Sequence, residues 1–436
     1  MKEILWRRSV AGGALLSFSL VYSSFAGAQQ APLPSPLTLQ QALEIADQAH
    51  PDLQLADAAL ELARARYQKA GADNDFELGF TAELRAIDPS ELAYYQTHND
   101  SQARLNLSKQ LYDFGRTART EEAAEAVLDS RQWQLQEVRQ QRRLEVMQRF
   151  FDVLVADFRY ARDNEALSIA YVRYDRASNR QELGTASDIE VLELESLYQQ
   201  TRRQLAASRS QQRITRSQLA ISLNRPNDLP ADLEAPDLEV QSLVQELEAW
   251  TQRALQENPH LRSLRADVEA ARKQLQASEA EDNPVLRGEL EAATYERELG
   301  GRNPLSAALI IEVPLYTGNR TDARRAEQRA LLQQKEAELA AYELQLHQQV
   351  LDIWMELERL RLQAEELQVT ADYRELSLDR SRTLYEMDMQ TDLGDSMTQI
   401  ADIQWQRAQN KYDTLLLQAR LKALAGGLLQ GEETTP

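Results

Sequence analysis

The chain contains no cysteine, which excludes disulfide bonds, thiolate metal sites, cysteine nucleophiles and a lipidated cysteine. Glycine and proline are scarce, with 15 and 13 among 436 residues, and aromatic residues make up only 6%. This composition is typical of chains dominated by long helices. Basic residues are outnumbered 49 to 69, and the resulting charge of −20 would repel the phosphates of nucleic acid. We therefore expect a mainly helical protein with no nucleic-acid partner.

Motifs for catalysis and for cofactor binding are also missing. The sequence holds no Walker motif, no glycine-rich phosphate loop and no local Ser/His/Asp arrangement. Its four histidines, His50, His98, His260 and His347, lack the spacing of metal ligands. We therefore expect a protein that is not an enzyme and that uses no cofactor. Beyond residue 28 there is no run of about 18 apolar residues, so no transmembrane helix is expected.

The first 28 residues have the pattern of a secretory signal peptide. Three basic residues precede an apolar run at residues 10–25, and Ala26-Gly27-Ala28 offers a small-residue cleavage site. An uncleaved membrane anchor is the alternative, although the apolar run is short for crossing a bilayer. Cleavage predicts an exported protein, which cannot be lipidated on cysteine because it has none.

Two stretches without proline or glycine, residues 116–182 and 321–386, predict very long helices. At about 1.5 Å per residue each would be roughly 100 Å long. Steps of three and four place apolar side chains on one narrow stripe of each helix. The stripes are Met147, Phe151, Leu154, Phe158 and Ala161 in the first, and Ile353, Leu357, Leu360, Ala364, Leu367 and Ala371 in the second. Narrow stripes suit neighbouring helices in a wall with water on both sides; an ordinary coiled-coil dimer is the alternative.

Four stretches alternate between apolar and polar residues and predict strands at residues 76–87, 101–111, 285–296 and 305–316. Each is about as long as a tilted strand that crosses a bilayer. The residues that we expect to face lipid are Leu78, Phe80, Leu105, Leu107, Leu290, Leu309 and Ile311. Four strands cannot close a membrane barrel, but three chains would supply twelve. A small soluble sheet packed on the helices is the alternative.

The two halves of the chain repeat one another. Leu111, Tyr112, Arg116 and Thr117 correspond to Leu315, Tyr316, Arg320 and Thr321 at a constant offset of 204 residues. The repeat predicts an internal duplication in which each copy holds two helices, two strands and a long helical hairpin. The expected divisions are a first repeat at 29–225 with its hairpin at 116–223, a linker at 226–240, a second repeat at 241–425 with its hairpin at 321–425, and a tail at 426–436.

Several segments together resemble the TolC family of outer-membrane efflux proteins. They are the opening Pro-Leu-Thr-Leu-Gln-Gln-Ala-Leu of residues 36–43, Gln110-Leu-Tyr-Asp-Phe-Gly-Arg116, Leu183-Gly-Thr-Ala-Ser-Asp-Ile-Glu-Val-Leu192 and Val313-Pro-Leu-Tyr-Thr-Gly318. The resemblance implies a homotrimer with a 12-strand barrel in outer-membrane lipid of a Gram-negative bacterium and a helical tunnel in the periplasm. It also implies a periplasmic adaptor and an inner-membrane transporter as partners in efflux or type I secretion. A soluble periplasmic coiled-coil scaffold or adaptor is the alternative.

The resemblance also implies roles for the tips of the two helical hairpins. Adaptor docking is expected at Gly184, Thr185, Ser187, Asp188, Val191, Leu192 and Thr391. The tunnel entrance is expected at Glu190, Glu193, Asp392 and Asp395, whose members are spaced one helical turn apart within each tip. These acids also suit a helix N-terminus, where the macrodipole stabilises them. The second tip departs from the family pattern, because Asp388 replaces a usual glycine and Gly394 falls early in the returning helix.

Overall fold

Eight α-helices and four strands form the described part of the chain. The computed structural model describes residues 32–48, 50–94, 96–240, 246–297, 302–316, 318–387 and 393–428. The elements are α1 (Leu39–Ala46), α2 (Pro51–Ala72), β1 (Phe76–Glu83), β2 (Gln102–Tyr112), α3 (Arg116–Glu182), α4 (Asp188–Ser222), α5 (Leu247–Glu257), α6 (Pro259–Glu279), β3 (Val285–Tyr295), β4 (Leu305–Glu312), α7 (Arg320–Glu386) and α8 (Leu393–Leu424). The mainly helical fold with a small sheet is thereby confirmed.

The long helices are as expected from the absence of proline and glycine. α3 and α7 are 67 residues each, and α7 begins 204 residues after α3. Gly115 with φ 86° precedes α3, and Asn319 with φ 60° precedes α7. The carboxylate of Asp113 organises the first junction by accepting hydrogen bonds from the backbone N–H of Gly115 at 3.1 Å and of Thr117 at 2.7 Å. This capping explains the Asp-Phe-Gly-Arg sequence between strand and helix.

The helices lie side by side in a wall. Near the hairpin tips the neighbours follow the order α4, α3, α8, α7, and near the sheet the order α2, α3, α6, α7. α6 follows α8 at the same place in the wall, where the Asn258 amide donates to the Leu424 carbonyl at 3.1 Å. α3 and α7 therefore run the full height, and shorter helices fill the positions beside them. No described helix combines the length and the apolar composition needed to cross a membrane.

Two apolar clusters hold the wall together midway along its height. Phe150 and Val153 of α3 are fully buried against α1, α4 and α8, and Phe151 stacks on Tyr412 with ring centroids 5.0 Å apart. Leu346 and Val350 of α7 pack with α5, α6 and the end of α8. Most members of the expected stripes are buried or partly buried. Phe151, Leu154, Leu357, Leu360, Leu367 and Ala371 are buried, Met147 and Ile353 are partly buried, and Phe158, Ala161 and Ala364 are exposed.

The four strands form one antiparallel sheet in the order β1, β2, β3, β4. Two strands are shorter than expected. β1 ends at Glu83 instead of residue 87, since the chain leaves the ladder and Ala86 retains only an isolated bridge to Asn99. β4 ends at Glu312 instead of residue 316, because Pro314 has no backbone N–H to donate to a ladder.

Candidate functional site: the sheet faces and the hairpin tips

The register of the sheet brings the expected lipid-facing residues together. Leu78 lies opposite Leu107, and Leu107 lies opposite Leu290. All seven of these side chains share one face, which also holds Phe76, Ala82, Ala103, Leu286, Ala292, Leu305 and Ala307. The alternating apolar residues of neighbouring strands thus form one apolar surface, which the charge of Lys109 in β2 interrupts.

This apolar face is exposed in the single chain. Phe80 is 70% exposed, Leu309 74% and Ile311 69%, whereas a soluble sheet would cover such side chains with helices. The strands make their extensive contacts with one another and not with the long helices. The arrangement therefore does not match the alternative of a soluble sheet packed on the helices.

The opposite face of the same sheet is polar. Arg104, Asn106 and Ser108 of β2 alternate with the apolar residues, and Glu289 and Glu291 of β3 pair opposite Ser108 and Asn106. One surface therefore suits hydrocarbon and the other suits water, as the wall of a water-filled membrane barrel requires.

A buried carboxylate joins the two loops at the end of the sheet that lies away from the helices. Asp100 is only 2% exposed and ion-pairs with Arg302 at 2.8 Å and with Arg85 at 2.6 Å. The hydrogen bond from Arg302 holds the pKa of Asp100 below its usual range. Sequence reasoning missed this cluster because Arg302 lies 202 residues from Asp100 and no local motif marks the three residues.

The first hairpin turns at Gly184, whose φ of 72° suits glycine. The Ser187 hydroxyl caps α4 by accepting from the Glu190 N–H at 3.2 Å, and Asp188 accepts from the Gln181 amide at 2.8 Å. Glu190 ion-pairs with Arg180 across the turn. Asp188 and Glu190 thus serve the local structure, in agreement with the helix-terminus interpretation.

Apolar side chains project from the first tip. Leu183 and Ile189 are each 79% exposed, and Leu192 is 65% exposed. Val191, expected in the docking surface, is buried within the hairpin, while Glu193 is exposed. Leu183 and Ile189 were absent from the expected docking set although both lie within the quoted tip motif.

The second hairpin is described up to Met387 and again from Leu393, so Asp388, Thr391 and Asp392 lie outside the described residues. Asp395 ion-pairs with Arg173 of α3 at 2.8 Å, which joins the two hairpins of one chain. Gly394 has a steric reason for departing from the family pattern. A Cβ there would lie 2.7 Å from Cγ2 of Ile169, so α8 could not approach α3 so closely with a larger residue.

In the described part of the chain, the wall and the sheet end at the same two edges of the molecule. β1, α2 and α4 end the wall on one side, and β4 and α7 end it on the other. α7 carries an exposed apolar stripe at steps of mostly seven and four, consisting of Leu344, Leu351, Met355, Leu362, Val369, Tyr373 and Leu376. On the opposite edge, exposed apolar residues are also seven apart: Leu55 and Leu62 of α2, and Ile214 and Ile221 of α4. Such spacing is typical of helices that pack along their length.

A histidine lies at the junction between α6 and α8. His260 Nδ1 is 2.7 Å from the Glu137 carboxylate of α3, and the His260 ring packs edge-on against Tyr342. The hydrogen bond with Glu137 raises the pKa of His260 despite its partial burial. Burial raises the pKa of Tyr342 to about 12. No group of three or more potential metal ligands occurs among the described residues.

We expect the contribution of His260 to stability to fall as the pH rises. A raised folded-state pKa means that the contribution is complete below the ordinary histidine pKa of about 6.5 and is lost as the pH passes the folded-state value. Replacing His260 by asparagine should therefore lower the melting temperature more at about pH 5.5 than at about pH 8.5. The control His347→Asn removes an exposed histidine of α7 and should change the melting temperature little. Equal losses at both pH values would contradict the role of the His260 charge.

The sequence comparison decides the family. A sequence model of outer membrane efflux proteins matches residues 42–225 and 250–427, which cover both halves of the chain. The chain belongs to this family. Its members are efflux channels and not enzymes, so the resemblance to TolC-type proteins and the expectation of a non-enzymatic protein are confirmed. No curated protein matches the chain by sequence.

Solved structures of outer membrane channels share the fold of this outer membrane efflux protein. The outer membrane protein VceC of Vibrio cholerae matches with a TM-score of 0.72 and 19% identity, over 89% of this chain and 96% of VceC. The CmeC outer membrane channel of Campylobacter jejuni matches with a TM-score of 0.74 and 12% identity, over 89% and 86%. The open state of the Neisseria gonorrhoeae MtrE outer membrane channel matches with 0.67 and 20%, over 89% of each chain. At these identities the likeness concerns the fold.

Proposed function

We propose that three copies of this efflux protein close into one channel, with twelve strands in the outer membrane and a helical tunnel in the periplasm. The observation that carries this proposal is the alignment of unpartnered edges. In each copy β1, α2 and α4 lie on one side, and β4 and α7 lie on the other. A head-to-tail contact between unlike edges forms a ring when the rotation closes.

A sheet in lipid must close into a barrel. The outer edges of β1 and β4 carry backbone N–H and C=O groups that would be unpaired in hydrocarbon, at a cost of several kcal/mol for each group. Pairing β1 of one copy with β4 of the next removes both edges. Twelve strands are enough to enclose water, and the polar face with Arg104 and Glu291 would line that water.

The two repeats, 29–225 and 241–425, would be copies of one unit on either side of the linker 226–240, followed by the tail 426–436. The equal length of α3 and α7 supports this division, as does the recurrence of two strands before each of them. Residues 1–28, which lie outside the described residues, would be removed as a signal peptide during export. The mature protein would carry no lipid anchor on cysteine, since it has none.

The hairpin tips would hold the periplasmic entrance. Glu190, Glu193, Asp392 and Asp395 would give the mouth a negative field that attracts cations. The Arg173–Asp395 ion pair holds the second hairpin against the first and would keep the mouth narrow. Breaking this pair would release the first turn of α8 from α3.

A periplasmic adaptor would dock on the tips, at Gly184, Thr185, Ser187, Asp188, Val191, Leu192 and Thr391. The exposed Leu183, Ile189 and Leu192 supply apolar contacts for such a partner. An inner-membrane transporter would provide the energy for efflux or type I secretion, because the sequence contains no nucleotide-binding motif. The channel itself would conduct passively.

Single-channel recording in planar lipid bilayers tests the proposal. The purified protein should insert and conduct in discrete steps, and Asp395→Ala should raise the conductance or weaken the block by divalent cations. The matched control Asp402→Ala changes another acid of α8, which ion-pairs with Arg162 further from the tip. A soluble scaffold would give no conductance steps. Conductance and cation block unchanged by Asp395→Ala would remove Asp395 from the entrance while leaving the channel intact.

A further inference from the structure

One residue breaks the apolar pattern of the lipid-facing surface with a charge. Lys109 lies between Phe76 of β1 and Gly288 of β3 in the register of the sheet, on the face that holds Leu78 and Leu107. It is the one charged residue on this face among the described strands. Its side chain is exposed, and no acidic side chain among the described residues pairs with it. An unpaired ammonium facing hydrocarbon is costly unless it reaches a polar partner.

Lys109 lies close enough to the end of β2 for its ammonium group to reach the expected membrane boundary. Lys109 precedes the last residue of β2, Tyr112, by three positions, a distance of about 10 Å along a strand. The exposed rings of Tyr112 and Phe114 lie there with centroids 4.7 Å apart. Aromatic side chains at the ends of membrane strands mark the level of the lipid headgroups. A lysine can extend along an apolar surface so that its ammonium reaches that level.

A groove lies beside Lys109 on the same face. It has a volume of about 690 Å³ and is lined mainly by Leu107, Leu111, Leu290 and Leu309, with Gly288 and Ala307 at its floor. The absence of a side chain at Gly288 keeps the groove open, because a Cβ there would lie 3.3 Å from Cδ1 of Leu111 and would crowd it. Leu111 is the extra residue of a β-bulge between Gln110 and Tyr112 and so lies over the strand next to it. Its two charged lining residues are Lys109 and Glu289, and the strand register places Glu289 on the polar face of the sheet, opposite Ser108.

We propose that Lys109 and this groove bind one glycerophospholipid per chain, with the lipid phosphate on Nζ of Lys109 and an acyl chain over Gly288. Surrounding lipid is as apolar as the groove, so burial in the groove adds little affinity and serves to position the chain. The affinity comes from the ammonium–phosphate pair at low dielectric. β2 is an inner strand, so ring closure through β1 and β4 leaves Lys109 accessible to lipid. This inference rests on the proposed function.

Native mass spectrometry of the trimer tests the site. The delipidated protein in mild detergent is mixed with phosphatidylglycerol and with monogalactosyl diacylglycerol of the same acyl chains, which lacks a phosphate. The trimer should retain three phosphatidylglycerol molecules and little galactolipid. Lys109→Gln should reduce phosphatidylglycerol retention about tenfold, as loss of a charge-assisted hydrogen bond implies. Lys109→Arg should preserve it, and Gly288→Val should weaken it by raising the floor of the groove.

Controls separate the site from general lipid binding. Arg287→Gln removes a cation at the same depth from the polar face and should leave retention unchanged. The proposal is overturned if Lys109→Gln retains as much phosphatidylglycerol as the unmodified protein, if Arg287→Gln loses as much, or if the galactolipid binds equally well. A conducting trimer with any of these results leaves the proposed function standing, whereas a chain that forms no membrane trimer removes both.

Discussion

Replacing Leu107 by arginine should prevent most of the protein from assembling in membranes. Leu107 lies in the middle of β2 and pairs with Leu78 and Leu290, so its side chain is near the centre of the apolar face that we propose meets lipid. An arginine that faces lipid near the midplane of a membrane barrel costs about 2 to 4 kcal/mol, and each copy in the ring would carry one. The assembled fraction should fall about tenfold or more, measured as cross-linked or heat-resistant oligomer in the outer-membrane fraction.

The matched control for this substitution is Asn106→Arg, one residue earlier in the same strand. Asn106 lies on the polar face opposite Gly79 and Glu291. An arginine there would meet water and a carboxylate, so assembly should stay normal. Normal assembly of Leu107→Arg with failure of Asn106→Arg would mean that the two faces are assigned the wrong way round.

Replacing Leu344 by glutamate should separate the copies from one another. Leu344 is 74% exposed and begins the apolar stripe on the unpartnered face of α7. Ring closure would bury this stripe against the α2 and α4 edge of the next copy, so the glutamate would be an uncompensated buried charge at every contact. Such charges cost about 3 to 5 kcal/mol each. We expect the trimer to be lost in size-exclusion chromatography with light scattering, while helical circular dichroism persists.

The control for Leu344→Glu is Gln345→Glu. It adds the same charge one residue further along α7, about 100° around the helix, at an exposed position. The trimer should survive this change. Loss of the trimer in both variants would mean that the added charge itself disrupts assembly. Survival of the trimer in both variants would mean that neighbouring copies contact another face of α7.

The local sequence pattern predicted the helices and strands better than it predicted the contacts between them. The proline-free and glycine-free stretches located α3 and α7 because a long helix depends on its own sequence. Alternation predicted which residues share one face of the sheet because side-chain direction is fixed within each strand. The end of β1 was wrong, since the chain leaves the ladder where Asp100 gathers Arg85 and Arg302. The contact between Asp100 and Arg302 joins chain segments 202 residues apart.

Several features of the tips and seams needed the packed structure for the same reason. The sequence shows that Gly394 departs from the family pattern, and the close approach of Ile169 in the folded chain explains this departure. The heptad-like stripe on α7 is visible in the sequence, but it is distinguishable from the buried stripe at Leu346 and Val350 only when the chain's own helices are in place. The role that we propose for Lys109 likewise depends on the groove beside it.

The mass of the species extracted from outer membranes tests the central claim most directly. Light scattering with correction for bound detergent should give the mass of three chains, each 49.6 kDa less the signal peptide. The same preparation should lose its folded state when lipid and detergent are removed. A folded single chain that remains dissolved in water without detergent would contradict the account.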